Sequence, residues 1–481
     1  MNRIFAICSI LFFAVLGIVM CFSIRRSEKI EMGQVPIDSK RYLPNFGLVS
    51  AQLAIPFILA DLLSSSVADW QYLPLVIEIC VFNCLLLIAL VPIRRLIKAK
   101  TCGWLWMVPF SGVHLYALMG DEIWKPLWVI PLGKGFSEEI WNILVKLWLL
   151  GAAAVFAYHI VTHLVFKRKL IKNSCEVTDA EILRVWERER YMARFPDNYL
   201  ELRFSAQTQT PLSVGLFRKS TYVILPEAKA YTLEDLSLIF RHELIHIGRR
   251  DSVVKFYMLL ITALFWFNPL MWLVMRYSAD DVELSCDETA MLGCDRQTRK
   301  KYVELLLYTA ADHRGFTTCL STSARALRYR MKQAMTDRKR GYGILILCVA
   351  LVFFEISCLF VDFSYRTGTA AEQIYIEQDP NAYTFKDAFV FDEAYDDAQT
   401  EELMEYLLQL PVSRLMRHYA RMGLDGRHAQ IIVTTQDNRY VIWLSDNYLR
   451  VRFFPDGKAT ESCYVLQEPV DWNYLISLLE A

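Results

Sequence analysis

Two histidines and a glutamate within five residues are the strongest chemical signal in the chain. His242-Glu243-Leu244-Ile245-His246 has the H-E-x-x-H pattern. On a helix, side chains four residues apart lie on one face, so the two imidazoles are spaced to hold one zinc ion. Glu243 is offset by one residue, so it is predicted to act as the general base on a metal-bound water. The pattern predicts a zinc metalloendopeptidase.

A catalytic zinc site needs a third protein ligand and an open fourth position. The stretch Glu283-Leu284-Ser285-Cys286-Asp287 offers Glu283 as that ligand on a second helix. Asp287, one turn later, is predicted to accept the spare ring N–H of a ligating histidine. In the alternative interpretation these acidic residues form an ordinary solvated helix face, and their spacing alone does not decide between the two. No other cofactor is indicated.

The motif requires a helix, and its surroundings predict one. Residues 210–216 and 221–226 have the composition of two short strands around a turn. Thr232 with Asp235 forms a plausible N-terminal cap, and apolar residues then recur at helical spacing up to a stop near Gly248. The predicted order is therefore strand, strand, zinc-binding helix.

An apolar segment, 253–275, separates the motif from Glu283 and is long enough to cross a bilayer. A single crossing would put Glu283 roughly 30 Å from His242. Both flanks of the segment are basic, and Asn268-Pro269 interrupts it. The segment is therefore predicted to be a membrane-embedded hairpin that returns to the side it came from.

The chain is 54% hydrophobic with a mean hydropathy of +0.25, and its 52 basic and 52 acidic residues cancel. No net field favours nucleic acid, so direct nucleic-acid binding is not expected. The apolar residues are concentrated in runs of roughly membrane-spanning length: 4–22, 46–66, 73–93, 104–120, 141–166 and 344–361. The first run is predicted to be a retained helix, since basic residues follow it rather than precede it. The sequence indicates a multi-pass protein of the cell membrane.

Clusters of basic residues indicate which loops face the cytoplasm. They lie at 94–100, 167–172 and 325–340, whereas 121–140 carries four acidic residues. The protease site is therefore predicted to be cytoplasmic and the C-terminal domain extracellular. The first two runs leave two arrangements open: an external N-terminus with 23–45 inside, or a single external segment over 23–72.

The resulting fold class is a polytopic α-helical membrane protein with a cytoplasmic-facing, gluzincin-type α+β protease domain and a small extracellular α+β domain. The predicted domains are about five transmembrane helices in 1–166, the protease domain in 167–341, an anchor in 342–362 and a sensor-like domain in 363–481. In the last domain, a helical stretch near 399–421 precedes four alternating segments that are typical of an antiparallel sheet. The twelve cysteines do not form a disulfide framework.

Three stretches together resemble the M56 membrane metallopeptidases, the antirepressor proteases of β-lactam sensing. They are HELIHIGRRD at 242–251, Trp266-Phe267-Asn268-Pro269, and ELSCDE at 283–288. The resemblance covers about 73–361. It implies His242, His246 and Glu283 as zinc ligands and Glu243 as the base. It also implies a relay in which an extracellular ligand activates cleavage of a cytoplasmic protein substrate, such as a DNA-binding repressor, with self-cleavage in some members.

The chain departs from the β-lactam receptors of that family in its C-terminal part. No serine after residue 361 is followed by lysine three positions later, and the external domain is short for a penicillin-binding fold. A β-lactam ligand is therefore not supported, and the extracellular ligand stays unknown. Two other functions remain open: a constitutive membrane quality-control zinc protease, and a non-catalytic receptor that contains zinc. A homodimer is compatible with any of the three.

The basic stretch 325–340 precedes the last anchor. Its commonest explanation is contact with anionic lipid head groups, and it is also an exposed candidate for self-cleavage. Within the anchor, Glu355 is the candidate for coupling an external signal, and the alternative is a hydrogen bond that only fixes helix packing.

Overall fold

The structure is a computed structural model. The described residues are 73–480 without 112–125, 133–137, 194, 196–199, 216–220, 310–323, 336–340, 342, 375–382, 391–392, 395, 417–426, 436–438 and 455–459. The chain divides into two compact units. The first contains the described residues of 79–111 and 148–354, and the second contains those of 73–78, 112–147 and 355–481.

The described elements are helices and short strands. In chain order, the described helices are α1 (Leu73–Ile93), α2 (Ala99–Leu105), α3 (Glu138–Lys172), α4 (Ala180–Met192), α5 (Leu233–Arg249), α6 (Asp251–Leu264), α7 (Pro269–Ala290), α8 (Arg296–Thr309), α9 (Ala324–Met335), α10 (Ile344–Phe360), α11 (Ala370–Ile374), α12 (Asp397–Gln409) and α13 (Trp472–Glu480). The described strands are β1 (Trp128–Pro131), β2 (Ser174–Glu176), β3 (Glu201–Ser205), β4 (Leu212–Val214), β5 (Tyr222–Pro226), β6 (Val361–Thr369), β7 (Tyr383–Val390), β8 (Glu393–Ala394), β9 (Pro411–Leu415), β10 (His428–Thr435), β11 (Arg439–Ser445), β12 (Tyr448–Phe453) and β13 (Thr460–Leu466).

Two of the described helices are long and apolar enough to cross a bilayer. They comprise Pro74–Ile93 in α1 and Ile143–Lys172 in α3, and α10 contains a shorter apolar stretch. Large apolar side chains such as Ile88 and Leu150 are more than half exposed on these helices, which is the pattern expected of a lipid-facing surface. The predicted runs 4–22 and 46–66 lie outside the described residues.

The run 104–120 differs from its prediction as a single span. Its described part contains the end of α2, and then a 3₁₀-helix over Val108–Ser111. Pro109 lies in that 3₁₀-helix and lacks the N–H that an α-helix would need there. The first part of this run therefore does not form a continuous helix.

A four-stranded sheet precedes the motif helix, in the order β2-β3-β5-β4. The two strands predicted before the motif are β4 and β5, which pair antiparallel from Leu212↔Ile224 to Val214↔Tyr222. The core of this layer contains Val223 and Leu225 from the sheet and Phe240 from α5. The sheet thereby fixes one face of the helix that carries the H-E-x-x-H residues.

The segment after the motif forms a helical hairpin. Helix α6 ends at Leu264 and α7 begins at Pro269, with the Asn268 side chain accepting a hydrogen bond from the Leu270 N–H at 3.0 Å. Proline at the first helical position suits a new helix because that N–H has no intrahelical partner. The chain turns back here, so that Lys255 of α6 lies beside Glu283 of α7 at 2.9 Å.

The second unit is built on a nine-stranded sheet within the described residues, in the order β1-β6-β9-β13-β12-β11-β10-β7-β8. The four segments predicted as strands are β10 to β13, and they pair as consecutive antiparallel neighbours. Two expectations differ. The predicted helix over 399–421 ends at Gln409, since Pro411 starts β9. The sheet also includes β1, and β6 starts at Val361, so this unit contains residues outside the predicted domain 363–481.

A close contact between α3 and the hairpin offers a test of the packing. A Cβ added at Gly151 would collide with the indole ring of Trp266, whose Nε1 donates to the Trp148 carbonyl at 3.2 Å. We expect Gly151→Ala to lower the free energy of unfolding by about 1–3 kcal/mol, the usual cost of overpacking. Thermal unfolding of the full chain in detergent measures the change.

The matched control is Gly103→Ala in α2. No described atom lies within 4 Å of a Cβ built there. Alanine is the better helix former, so this variant should be neutral or stabilising by up to about 1 kcal/mol. Equal unfolding midpoints for Gly151→Ala and the unmodified chain would contradict the contact with Trp266.

Candidate metal centre

Helix α5 presents both motif histidines on one face. Its first turn is closed by a capping box, in which Thr232 accepts from the Asp235 N–H and the Asp235 side chain accepts from the Thr232 N–H. One turn separates His242 from His246, and their Nε2 atoms lie 3.0 Å apart. The two ring nitrogens therefore point at a common position, as a shared metal ion would require.

Glu283 reaches the same position from α7. Its Oε2 atom lies 3.8 Å from Nε2 of His242 and 3.6 Å from Nε2 of His246. The point equidistant from these three atoms is about 2.0 Å from each, which matches the usual zinc–nitrogen and zinc–oxygen bond lengths. The three donors thus fit a zinc ion without rearrangement of the backbone.

Cys286 is a second donor beside the histidines. Its sulfur and one ring nitrogen of each histidine lie within 4.8 Å of one another. The thiol, however, donates to the backbone carbonyl of His242 at 3.3 Å, which holds the sulfur against the helix backbone. We therefore favour Glu283 as the third ligand, because its oxygen is already at ligand spacing from both imidazoles.

His246 is oriented by the residue that starts the next helix. Arg250 ends α5 in the left-handed conformation, with φ of 57°, and Asp251 follows at once as the first residue of α6. The Asp251 carboxylate lies 2.7 Å from Nδ1 of His246. Burial alone would raise the pKa of Asp251, but Arg249 and the hydrogen bond with His246 keep that pKa below its usual value. An ionised Asp251 fixes the tautomer that leaves Nε2 free for a metal.

His242 is oriented through a tyrosine. The Tyr302 hydroxyl of α8 lies 2.9 Å from Nδ1 of His242 and donates to Oδ1 of Asp287 at 2.6 Å. Asp287 was predicted to accept the histidine N–H directly, but the two atoms are 3.6 Å apart. The Tyr302 hydroxyl lies within hydrogen-bond distance of both groups and links them, so Asp287 contacts His242 through the tyrosine.

Cations surround the acidic residues of the centre. Lys255 binds Oε1 of Glu283, and Arg330 lies 3.3 Å from Oε2 of the same carboxylate. Burial alone would raise the pKa of Glu283, but Lys255 and His246 keep that pKa well below its usual range. Glu283 is therefore an ionised carboxylate, which is the form that binds a metal.

Glu243 follows His242 on α5 and is 5% exposed. Its Oε2 atom has no hydrogen-bond partner among the described residues. A buried carboxylate oxygen without a protein partner is costly and usually has water or a functional role to account for it. This observation fits a carboxylate that acts on a water molecule.

Sequence reasoning did not assign roles to Asp251, Tyr302, Lys255 or Arg330. Asp251 had a recognisable signal, because it follows the predicted stop of α5 and lies five residues from His246. The other three come from different helices, and no spacing rule links a residue in α8 or α9 to a motif in α5.

A family comparison agrees with this architecture. The family described as BlaR1 peptidase M56 matches residues 80–333, which is more than half of the chain. The chain belongs to the M56 peptidase family, and the resemblance seen in its motifs is confirmed. Peptidases of this family are metalloproteases, in agreement with a centre built from two histidines and a carboxylate.

Three curated relatives share part of the chain. The "Regulatory protein BlaR1" of Bacillus licheniformis is 24% identical over 208 residues, which cover 43% of this chain and 34% of the relative. The "Methicillin resistance mecR1 protein" of Staphylococcus aureus and that of Staphylococcus epidermidis are each 22% identical over 202 residues, covering 41% of this chain and 33% of the relative. The match thus spans about a third of the length of these relatives.

The identity of the third ligand can be tested with Co²⁺ in place of zinc. We expect the loaded chain to lack a thiolate-to-cobalt charge-transfer band, because Glu283 rather than Cys286 is the proposed donor. Glu283→Gln should weaken metal binding by at least about tenfold, since even outer partners of a ligand contribute that much. Cys286→Ser should leave both the spectrum and the affinity unchanged.

Glu288→Gln in the same helix is the matched control, because its amide oxygen still accepts from the Ala99 N–H that Glu288 binds at 3.0 Å. A charge-transfer band that disappears in Cys286→Ser would assign the sulfur as a ligand. Together with Glu283 it would close the fourth position, as in a structural zinc site.

Proposed function

We propose that this chain is a membrane-embedded, zinc-dependent endopeptidase that relays an extracellular signal by cleaving a cytoplasmic target, in particular a transcriptional repressor. The observation that carries the proposal is the convergence of His242, His246 and Glu283 at ligand spacing. Glu243, adjacent to the first histidine, supplies the general base. Membership in a peptidase family supports the same chemistry.

Each residue has a defined task in this reaction. His242, His246 and Glu283 would hold a zinc ion, which would polarise the scissile carbonyl and lower the pKa of a bound water to about 7. Glu243 accepts the proton of the attacking water and then delivers it to the leaving amine. Asp251 and the Tyr302–Asp287 pair hold the two imidazoles in the tautomers that keep Nε2 available.

The regulatory part of the proposal concerns location and partners. Basic clusters at 94–100, 167–172 and 325–340 favour a cytoplasmic site, and the C-terminal unit is then extracellular. One relative is named a regulatory protein and the other two are named for methicillin resistance, which supports a role in signalling. The extracellular ligand is of unknown class, and the target is a protein rather than nucleic acid.

Replacing the base separates catalysis from metal binding. Glu243→Gln keeps the size of the side chain but cannot accept the proton, so we expect cleavage to fall by at least about 100-fold. Metal content should be unchanged. Comparing the cytosolic proteomes of cells that express the two chains should reveal a stabilised DNA-binding protein, whose cleavage is then measured with purified components.

Glu234→Gln, on the exposed first turn of the same helix, is the matched control and should cleave normally. Proteolysis of the same proteins at the same rate in Glu243→Gln cells would remove Glu243 from the mechanism.

The relay is tested separately by deleting residues 365–481. If the C-terminal unit controls the peptidase, the truncated chain should cleave its target independently of stimulus, either constantly or not at all. Stimulus-dependent cleavage is measured by following the stabilised target in growing cells. Normal constitutive activity in both chains would instead favour a quality-control protease with no sensor.

A further inference from the structure

One arginine of the basic stretch 325–340 does not behave like its neighbours. Arg328 and Lys332 of α9 are exposed, as expected for residues at a lipid or water boundary, whereas Arg330 is buried. The exposed basic surface predicted from the sequence therefore excludes Arg330. A buried guanidinium is costly unless acidic partners compensate it.

Both partners of Arg330 belong to the metal centre. Nε and Nη2 bind the two oxygens of Asp287 at 2.6 and 2.8 Å, and Nη1 lies 3.3 Å from Oε2 of Glu283. One planar group thus binds two acidic side chains that are a single turn apart on α7. Lysine, with a single point charge, cannot reproduce this two-pronged contact.

Helix α9 is built to deliver this side chain. Leu327 and Met331 pack against the apolar core beneath α5, and Ala334 is part of that core. With Arg330, these residues recur at the spacing of one helix face. The inward face of α9, over the side chains that the structure describes, therefore consists of apolar residues around the buried cation Arg330.

We propose that Arg330 is a positioning residue of the metal centre, and that α9 holds the ligand set in place through it. Nε and Nη2 of Arg330, which form a fork, fix the two oxygens of Asp287. Asp287 accepts a hydrogen bond from the Tyr302 hydroxyl, and that hydroxyl in turn fixes Nδ1 of His242. The third nitrogen of Arg330 restrains the Glu283 oxygen that faces both histidines. Without the fork, Asp287 is a buried carboxylate with no counter-ion, so its hold on Tyr302 and His242 is lost. The inference rests on the proposed metal site but not on the proposed substrate.

Helix α9, which carries Arg330, directly precedes α10 in the chain. Residues 336–343 connect the two helices. Within this connection, the Gly341 N–H donates to the Leu96 carbonyl and the Gly341 carbonyl accepts from the Lys98 N–H, each at 3.0 Å. Helix α10 then continues directly into β6. The segment that carries Arg330 therefore precedes both α10 and β6 in the chain.

The experiment measures Zn²⁺ and Co²⁺ binding by the full chain in detergent, using competition with a chelator and the visible Co²⁺ spectrum. Arg330→Gln removes the charge, and Arg330→Lys keeps the charge but removes the fork. We expect both variants to bind metal about 10–100-fold more weakly, as is usual when an outer partner is lost, and to change the Co²⁺ spectrum. Arg328→Gln, on the exposed face of α9, is the matched control and should change neither.

The direction of the change distinguishes positioning from simple repulsion. If Arg330 acted only as a positive charge near the metal, Arg330→Gln would bind zinc more tightly and Arg330→Lys would match the unmodified chain. Either that pattern or unchanged affinity and spectrum in Arg330→Gln overturns the proposal.

A double variant guards against misfolding, because a lone buried Asp287 is destabilising. Asp287→Asn with Arg330→Gln leaves no unpaired buried charge at this pair, and we expect it to fold and still to bind metal at least about tenfold more weakly than the unmodified chain. Affinity equal to the unmodified chain would show that the fork is dispensable. An unmodified chain that binds metal but cleaves nothing counts against the proposed function alone.

Discussion

The structure around the metal centre depends on one constraint: three acidic residues of α7 are buried and must be paired. Asp281, Glu283 and Asp287 are each at most 6% exposed. An ionised group in such surroundings is stable only with cations or hydrogen-bond donors beside it. Each carboxylate finds partners on different elements, so pairing the acids also fixes the positions of the helices that bring the partners.

The partners show how widely this constraint acts. Asp281 accepts from Arg94, which follows α1, and from Trp106, which follows α2, at 2.6 and 2.9 Å. Burial raises the pKa of Asp281 to about 6, although Arg94 opposes that rise. Glu283 pairs with Lys255 of α6, Asp287 accepts from Tyr302 of α8, and both pair with Arg330 of α9. The Arg94 guanidinium also lies over the ring of Tyr329, the neighbour of Arg330 on α9. Helix α9 therefore contacts Arg94, which follows α1, through Tyr329, and the candidate ligand Glu283 through Arg330.

The sequence was sufficient wherever local rules decide the structure. The Thr232 cap, the helical face of His242 and His246, and the consecutive strands β10 to β13 all follow from spacing within a few residues. Local rules failed where a proline intervened, at Pro109 and Pro411, because an apolar or helical pattern continued past a residue that breaks the helix. The outer partners could not be predicted for another reason. Tyr302 and Arg330 meet His242 and Asp287 only after four helices, α5, α7, α8 and α9, have packed together. A basic stretch before an apolar helix does not indicate that one of its arginines is buried.

The charges at the centre also bear on how a metal would be held there. Three acids, Asp251, Glu283 and Asp287, lie beside three bases, Arg249, Lys255 and Arg330. With neutral histidines the six groups cancel, so a divalent cation would gain little from net negative charge. Its affinity must then come from the placement of the donor atoms, which makes the orienting partners as important as the ligands. Glu243 is outside this balance, since its buried Oε2 has no hydrogen-bond partner among the described residues. An oxygen that no described protein group engages can accept a hydrogen bond from a water molecule at the centre, which is what a proton acceptor there requires.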